Sequence, residues 1–450
     1  MSPAGMLLTA LLGAALIFGG GGRPAPLAGL VVQLATVMVV VLWLWLPSMR
    51  ARAPSIWSWI VAGTVVAVPA LQLVPLPPAL WQALPGREIE VEILGIVQAA
   101  DSWKPLSMAP SRTLASLLSL GPAVVMLLLA STLRPGEWRL PLSALATIVV
   151  LCAAVGALQL AAPAPSPLHF YGPNTAGWVT GFQANRNAQV DVLMIGMAAV
   201  AAIAALAEQG TNAKHPRHRR GSSLALAGSV IALLALAAVM TGSRAGLLVL
   251  PLVLSAIVLL LGHGRMSRGL LASMMGGIAI FAGVGIWAAT SMQGGLARVA
   301  GRFQGFEDFR TELWTDTWVA IGQHWPWGGG MGLFQPLMIA SERLEVVDPT
   351  VPVRAHNDYL ELALEAGLPG LVAWAIVTGI VIVGLARRFR RRQPGEAATL
   401  AFAALTLTVI ALHSLVDYPL RSMSLACLMA LAAGFVLSAP RVPVRSPPIA

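Results

Sequence analysis

Hydrophobic positions in this chain come in long uncharged blocks, with none of the short alternation typical of soluble folds. Twelve blocks reach membrane length, at about 5–22, 27–47, 56–76, 113–133, 140–162, 188–208, 223–241, 246–262, 269–290, 368–385, 398–416 and 422–439. A spanning helix takes about 20 apolar residues, because hydrocarbon offers no partner to a bare amide or carbonyl. The pattern predicts an all-α polytopic integral membrane protein of about 12 transmembrane helices, with residues 1–450 forming a single membrane domain. Two stretches between blocks, 77–112 and 291–367, are long enough to fold over the membrane, the second carrying short amphipathic helices. Within 309–323, Leu313, Trp314, Val319 and Ile321, with Trp318, recur at near-helical spacing, which predicts a helix lying at the interface. Pro326 and Gly328, Gly329, Gly330 and Gly332 then turn the chain. Over 355–366, His356, Leu360 and Ala363 share one helical face, Gly367 takes the place of a left-handed cap, and Pro369 opens the next span. This predicts a helix that delivers His356 to the membrane surface.

Composition agrees. Hydrophobic residues make up 57% of the chain and charged ones 11%, and the mean hydropathy is +0.77, outside the range of soluble domains. Lys and Arg are retained on the cytoplasmic side, which sets the orientation. With both termini cytoplasmic, the inner segments hold 17 of the 29 Lys and Arg, whereas only Glu137, Glu208 and Glu396 of the acids lie inside. The net charge of +10 therefore reports topology. The basic stretches KHPRHRR (214–220) and RRFRRR (387–392) read as cytoplasmic anchors. Neither has the interleaved aromatics or the room of a nucleic-acid module, so no nucleic-acid partner is expected. Cys152 and Cys427 fall inside blocks and imply packing, with no disulfide framework. The first block follows MSPAG, without the positive charge of a secretory signal, and reads as a retained helix.

Several chemistries find no support. The chain has no HExxH and no paired CxxC, and the glycines of 328–332 precede Met and Leu where a P-loop would have its lysine. Neither a metal nor a soluble cofactor is implied.

Three motifs occur in order: TGSRAG (241–246), FRTELW (309–314) followed by HWPWGGGMGLF (324–334), and AHNDYLELALEAGLPG (355–370). In this the chain resembles the bacterial O-antigen ligase and O-antigen polymerase superfamily, with the specific motifs confined to about 180–370. The resemblance implies a C-type glycosyltransferase fold in the bacterial inner membrane with its active site facing the periplasm. It also implies a donor glycan on undecaprenyl pyrophosphate, transferred with inversion and without a metal to an acceptor hydroxyl. That acceptor is lipid A-core in a ligase and the growing glycan in a polymerase, with protein glycosylation a further variant. A family histidine followed by a glycine is matched by His356 and Gly367. The family arginine followed four residues later by leucine is matched by Arg310 only in part, because Trp314 takes the leucine's place.

The implied chemistry suits these residue types. A departing pyrophosphate gains negative charge, and arginine binds phosphate oxygens bidentately while staying charged. Arg244 and Arg310 are the catalytic candidates, and Arg186 and Arg354 are candidates for binding substrate. The plainer reading of each is an interfacial arginine that snorkels or pairs with an acid such as Asp308. His356 is the candidate base, against a histidine that merely satisfies its helix terminus. Asn357 and Asp358 complete the substrate-binding set, Asp358 by orienting an imidazole or holding sugar hydroxyls. His324 and His413 rank lower, although HSLVDYPLR (413–421) is a further candidate lining for the same cavity. The competing class is a lipid-linked glycan transporter, which tends to carry charges at mid-membrane depth and broken helices. Here the polar residues gather on one side.

Overall fold

The computed structural model describes residues 2–21, 26–47, 52–163, 166–172, 176–209, 216–261, 310–343, 345, 351–391 and 396–438. The described part is helical apart from one pair of two-residue strands, β1 (Pro75–Leu76) and β2 (Lys104–Pro105). In chain order the helices are α1 (Pro3–Phe18), α2 (Pro26–Trp45), α3 (Ile56–Gln72), α4 (Pro78–Trp81), α5 (Glu88–Ile96), α6 (Pro110–Ser119), α7 (Gly121–Thr132) and α8 (Arg139–Ala161). They continue with α9 (Arg186–Gln209), α10 (Pro216–Met240), α11 (Arg244–Leu261), α12 (Arg310–His324), α13 (Phe334–Ser341), α14 (Asp358–Arg390), α15 (Ala397–His413) and α16 (Met423–Leu437).

Among the described residues, seven helical stretches are long and apolar enough to cross a membrane, and the expected runs at 27–47, 113–133, 140–162, 188–208, 223–241, 246–262 and 368–385 fall on them. The runs at 5–22, 56–76, 398–416 and 422–439 fall on the shorter apolar helices α1, α3, α15 and α16. The ninth run, 269–290, lies outside the described residues, as do the loop from 291 to 309 with Asp308 and the side chains of the basic stretch 214–220. The run at 113–133 divides into α6 and α7, at Gly121 and Pro122.

The sequence accounts for the helix starts. Ser2 and Ser55 cap α1 and α3 by accepting hydrogen bonds from Gly5 N and Ser58 N. α9 lies at the centre of the bundle, with 78% of its apolar window buried against 11% for α14. Its run of Ala198, Ala199, Ala201 and Ala202 is fully enclosed, because small side chains let α8, α10, α11 and α15 close on it. Trp138 stacks on Phe435 at 4.8 Å, which ties α8 to α16.

The starts of α9, α11, α12, α14 and α16 and the ends of α1, α3 and α15 meet at one end of the bundle. Backbone bonds from Ala184 N to Gly20 O, Ser424 N to Gly19 O and Asp358 N to Ser414 O join them. The break in α14 shapes this end. Gly367 has φ 55° and ψ −149°, a conformation open to glycine, and a Cβ there would lie 2.1 Å from the Pro326 carbonyl oxygen. Leu368 N therefore donates to Pro326 O, Pro369 has no N–H, and the carbonyls of Leu364 and Glu365 are left without helical partners. They accept instead from Gly329 N and Gly330 N, which docks the glycine turn on α14. Gln72 of α3 clamps the junction, donating to Glu365 O and accepting from Met331 N. The 77–112 stretch joins it through Met108 N to Gly329 O, and the next residue, Thr113, through its Oγ1 to Met331 O.

Two local expectations need correction. α12 forms where predicted, but its apolar face is split: Leu313, Ala320 and Ile321 are buried, whereas Trp318 and Val319 point outward. Asp316, on the same helix, is buried and ion-paired with Arg343. The second correction concerns His356, which precedes α14 in a left-handed conformation with φ 49° and shares no helical face with Leu360. The cause is Asn357, whose side chain accepts from both Tyr359 N and Leu360 N and so takes the cap position.

A candidate active site where the helix starts converge

The His356 imidazole is held by a carboxylate from another helix connection. Its Nδ1 lies 2.8 Å from Asp417 Oδ1, and its ring meets Tyr418 edge to face at 4.9 Å. Asp417 follows α15 in the stretch 414–418 and is almost wholly buried. It accepts from Asn185 Nδ2 at 3.1 Å through its other oxygen and also bonds the Asn187 side chain. Burial alone would raise its carboxyl. The hydrogen bond with His356 and the charges of His413 and His356 outweigh that and hold it below the ordinary carboxylate range. An ionised carboxylate only accepts, so Nδ1 carries a hydrogen, and Nε2 is the acceptor whenever the imidazole is neutral.

A second pair stands behind the first. His413 Nδ1 lies 2.6 Å from Asp191 Oδ1, with side chains 0% and 1% exposed, and it joins the end of α15 to the first turns of α9. Arg310, the first residue of α12, is within charge range of His413. The same helix reaches His356 from the other side, because Trp314 Nε1 donates to Ala355 O at 2.9 Å. Tryptophan in place of the family leucine thus adds a bond beside the histidine.

Arg186 and Arg244 complete this face. Arg186 heads α9, next to Asn185, and stacks its guanidinium over the Trp178 ring at 5.0 Å. Trp178 in turn covers Gly242, where a Cβ would come within 2.1 Å of the ring, and Arg244 starts α11 two residues on. Arg186, Arg244 and Arg310 thus each occupy the first position of a helix and are each half-buried. A cation at the positive end of a helix macrodipole is unfavourable by itself. Arg186 is the chain neighbour of Asn185, whose side chain bonds Asp417, and Arg310 lies within charge range of His413.

The remaining candidates lie on the other face of the 354–358 segment. Arg354 Nη1 pairs with Glu361 at 2.8 Å. Asn357 is occupied by the cap and by a bond from its Nδ2 to Leu415 O. Asp358 is buried, accepts from Ser414 Oγ and Leu420 N, and lies 4.0 Å from Arg421. Arg421 also binds Glu361 at 3.0 Å and Glu365 at 2.7 Å. His324 is buried, its Nδ1 2.9 Å from Ala320 O. Asp191 and Asn185 stand outside every stretch singled out in the sequence, whereas Asp417 and Arg421 lie within HSLVDYPLR (413–421), which carried no individual roles. A carboxylate one turn inside an apolar run, as Asp191 is, was the available signal.

These features define a polytopic membrane protein with a polar, cationic site at one end of its bundle. Residues 229–375 match the O-antigen ligase family, which supports membership of the chain in that family and an O-antigen ligase or polymerase type of membrane function. The match includes Arg244, Arg310, Arg354 and His356, while Arg186, Asp191, His413 and Asp417 lie outside it. No curated protein matches the sequence.

Proposed function

We propose that the protein is a glycosyltransferase that takes a glycan from undecaprenyl pyrophosphate and passes it to an acceptor hydroxyl, that of lipid A-core, at the periplasmic face of the inner membrane. One observation carries the reading: an imidazole held by a buried carboxylate lies at the end of the bundle where three arginines each head a helix. The acceptor oxygen attacks the anomeric carbon opposite the pyrophosphate, and its proton passes to His356 Nε2. The bond from the anomeric carbon to the pyrophosphate oxygen breaks, and the leaving group keeps the electron pair. Arg186, Arg244 and Arg310 compensate the charge that it gains, the role a metal plays in other phosphate chemistry. Asp417 holds the imidazole tautomer and stabilises the imidazolium.

Deleting the gene and weighing both the undecaprenyl-linked and the surface glycans tests the reading. Long polymer stranded on the carrier with bare acceptor is the expected result. Surface acceptor capped by one repeat unit would replace ligase with polymerase, and a donor retained at the cytoplasmic face would replace both with a transporter. Within the site, Arg244→Lys should lower transfer about tenfold or more, because a point charge replaces a bidentate fork. Near-normal transfer by that variant in reconstituted membranes would assign Arg244 to interfacial anchoring.

A further inference from the structure

A cleft of about 760 Å³ opens on the face of the 354–359 segment away from His356, between α1, α2, α6, α14 and the start of α16. His356 does not line it. Three guanidinium groups do: Arg112 from the first turn of α6, Arg354, and Arg421. Arg112 is exposed and has no ion pair among the described residues. Arg354 and Arg421 share Glu361, but that carboxylate is 0% exposed and sits behind them. Glu365, also 0% exposed, backs Arg421 in the same way. Asp358 is the one acid in the lining, and Ser414, Leu420 and Arg421 already engage it. The cleft therefore presents one guanidinium with no ion pair among the described residues, Arg112, beside two whose carboxylates are already engaged.

Its other wall is apolar. Leu30, Leu362 and Trp374 line it, and Leu30 and Trp374 are also open to the surroundings of the bundle. Gln33, two turns into α2, lines the same space and makes no hydrogen bond among the described residues. An unsatisfied amide inside a span costs free energy in hydrocarbon unless something polar meets it. Arginines at one end, an uncommitted amide at the next level and an apolar wall opening sideways match a phosphate headgroup joined to a hydrocarbon chain. The volume fits, since ligand clefts run to about 300–1,000 Å³.

We infer that this cleft is a binding site for a phosphate-bearing lipid, with Arg112, Arg354 and Arg421 on the phosphate and the chain along Leu30, Leu362 and Trp374. The inference concerns binding and stands apart from the transfer reaction, although a phosphorylated acceptor lipid is one occupant that reaction would supply.

Native mass spectrometry of the full chain in a neutral detergent, titrated separately with phosphatidylglycerol, undecaprenyl phosphate, lipid A and phosphatidylcholine, decides it. At least one of the three anionic lipids should bind about tenfold more tightly than phosphatidylcholine, and Arg112→Ala should lose about five- to tenfold of that affinity. Gln33→Leu should lose a smaller part. The anionic probe that binds tightest names the source: bulk phospholipid, prenyl carrier or acylated acceptor. His356→Ala should bind as the wild type does, so a failed transfer reading leaves this result untouched. Equal binding of all four lipids, or unchanged binding by Arg112→Ala, overturns the inference.

Discussion

His356→Ala should insert and fold normally yet lose about 10²–10⁴-fold in glycan transfer, the usual contribution of a positioned acid or base. Folding survives because the side chain is 24% exposed and its contacts are confined to one end of the bundle. The left-handed backbone at φ 49° suits histidine better than alanine, a local cost small enough to leave the fold intact. What disappears is the imidazole whose Nδ1 faces Asp417. His356→Gln separates a base from a structural histidine. Glutamine can still hydrogen-bond to Asp417 but cannot accept a proton, so it should not restore turnover. Asp417→Asn should lose activity alongside it, because an amide no longer fixes the tautomer. Transfer assayed in proteoliposomes with purified lipid-linked donor measures all three, and retained turnover by a well-inserted His356→Ala would remove it as the base.

The second large effect is on stability. Arg421→Met should lower the unfolding midpoint in detergent sharply, with a cost of about 3–5 kcal/mol, as when one partner leaves a buried ion pair. Arg421 reaches Glu361, Glu365 and Asp358 together, and both glutamates are fully enclosed. Glu361 would still have Arg354, so Glu365 is the stranded charge, left with only the amide of Phe334. The double variant Arg421→Met with Glu365→Gln should therefore recover much of the loss. An unchanged midpoint for Arg421→Met would mean that the network contributes nothing to the fold.

Much of the helical framework was legible because each spanning helix satisfies its own backbone, so an apolar block of the right length is nearly sufficient evidence for it. Gly367 and Pro369 were equally readable, since few other residues tolerate that backbone. The start of α14 was not. His356 and Asn357 both stand where a cap could fall, and the choice rests on Asn357 reaching two amides at once. The site was legible as far as its arginines and histidine, which sit in local motifs. Its carboxylates were not, because Asp417 meets His356 across 61 residues and Asp191 meets His413 across 222, distances that only packing resolves. Arg354 illustrates the same limit, since its partner Glu361 and their shared neighbour Arg421 come from different segments.

The docked glycine turn has a consequence for how this end of the molecule lets go of what it holds. Its amides at Gly328, Gly329, Gly330 and Met331 all donate within the protein, so these four have no hydrogen bond to offer a phosphate. A backbone cradle keeps its grip for as long as the loop stays folded, whereas a guanidinium on a long stem releases by rotating. On the proposed reading, the spent carrier is discharged by rearrangement of arginine side chains while the turn and the upper part of α14 stay locked together, and the cycle needs no unfolding of its frame.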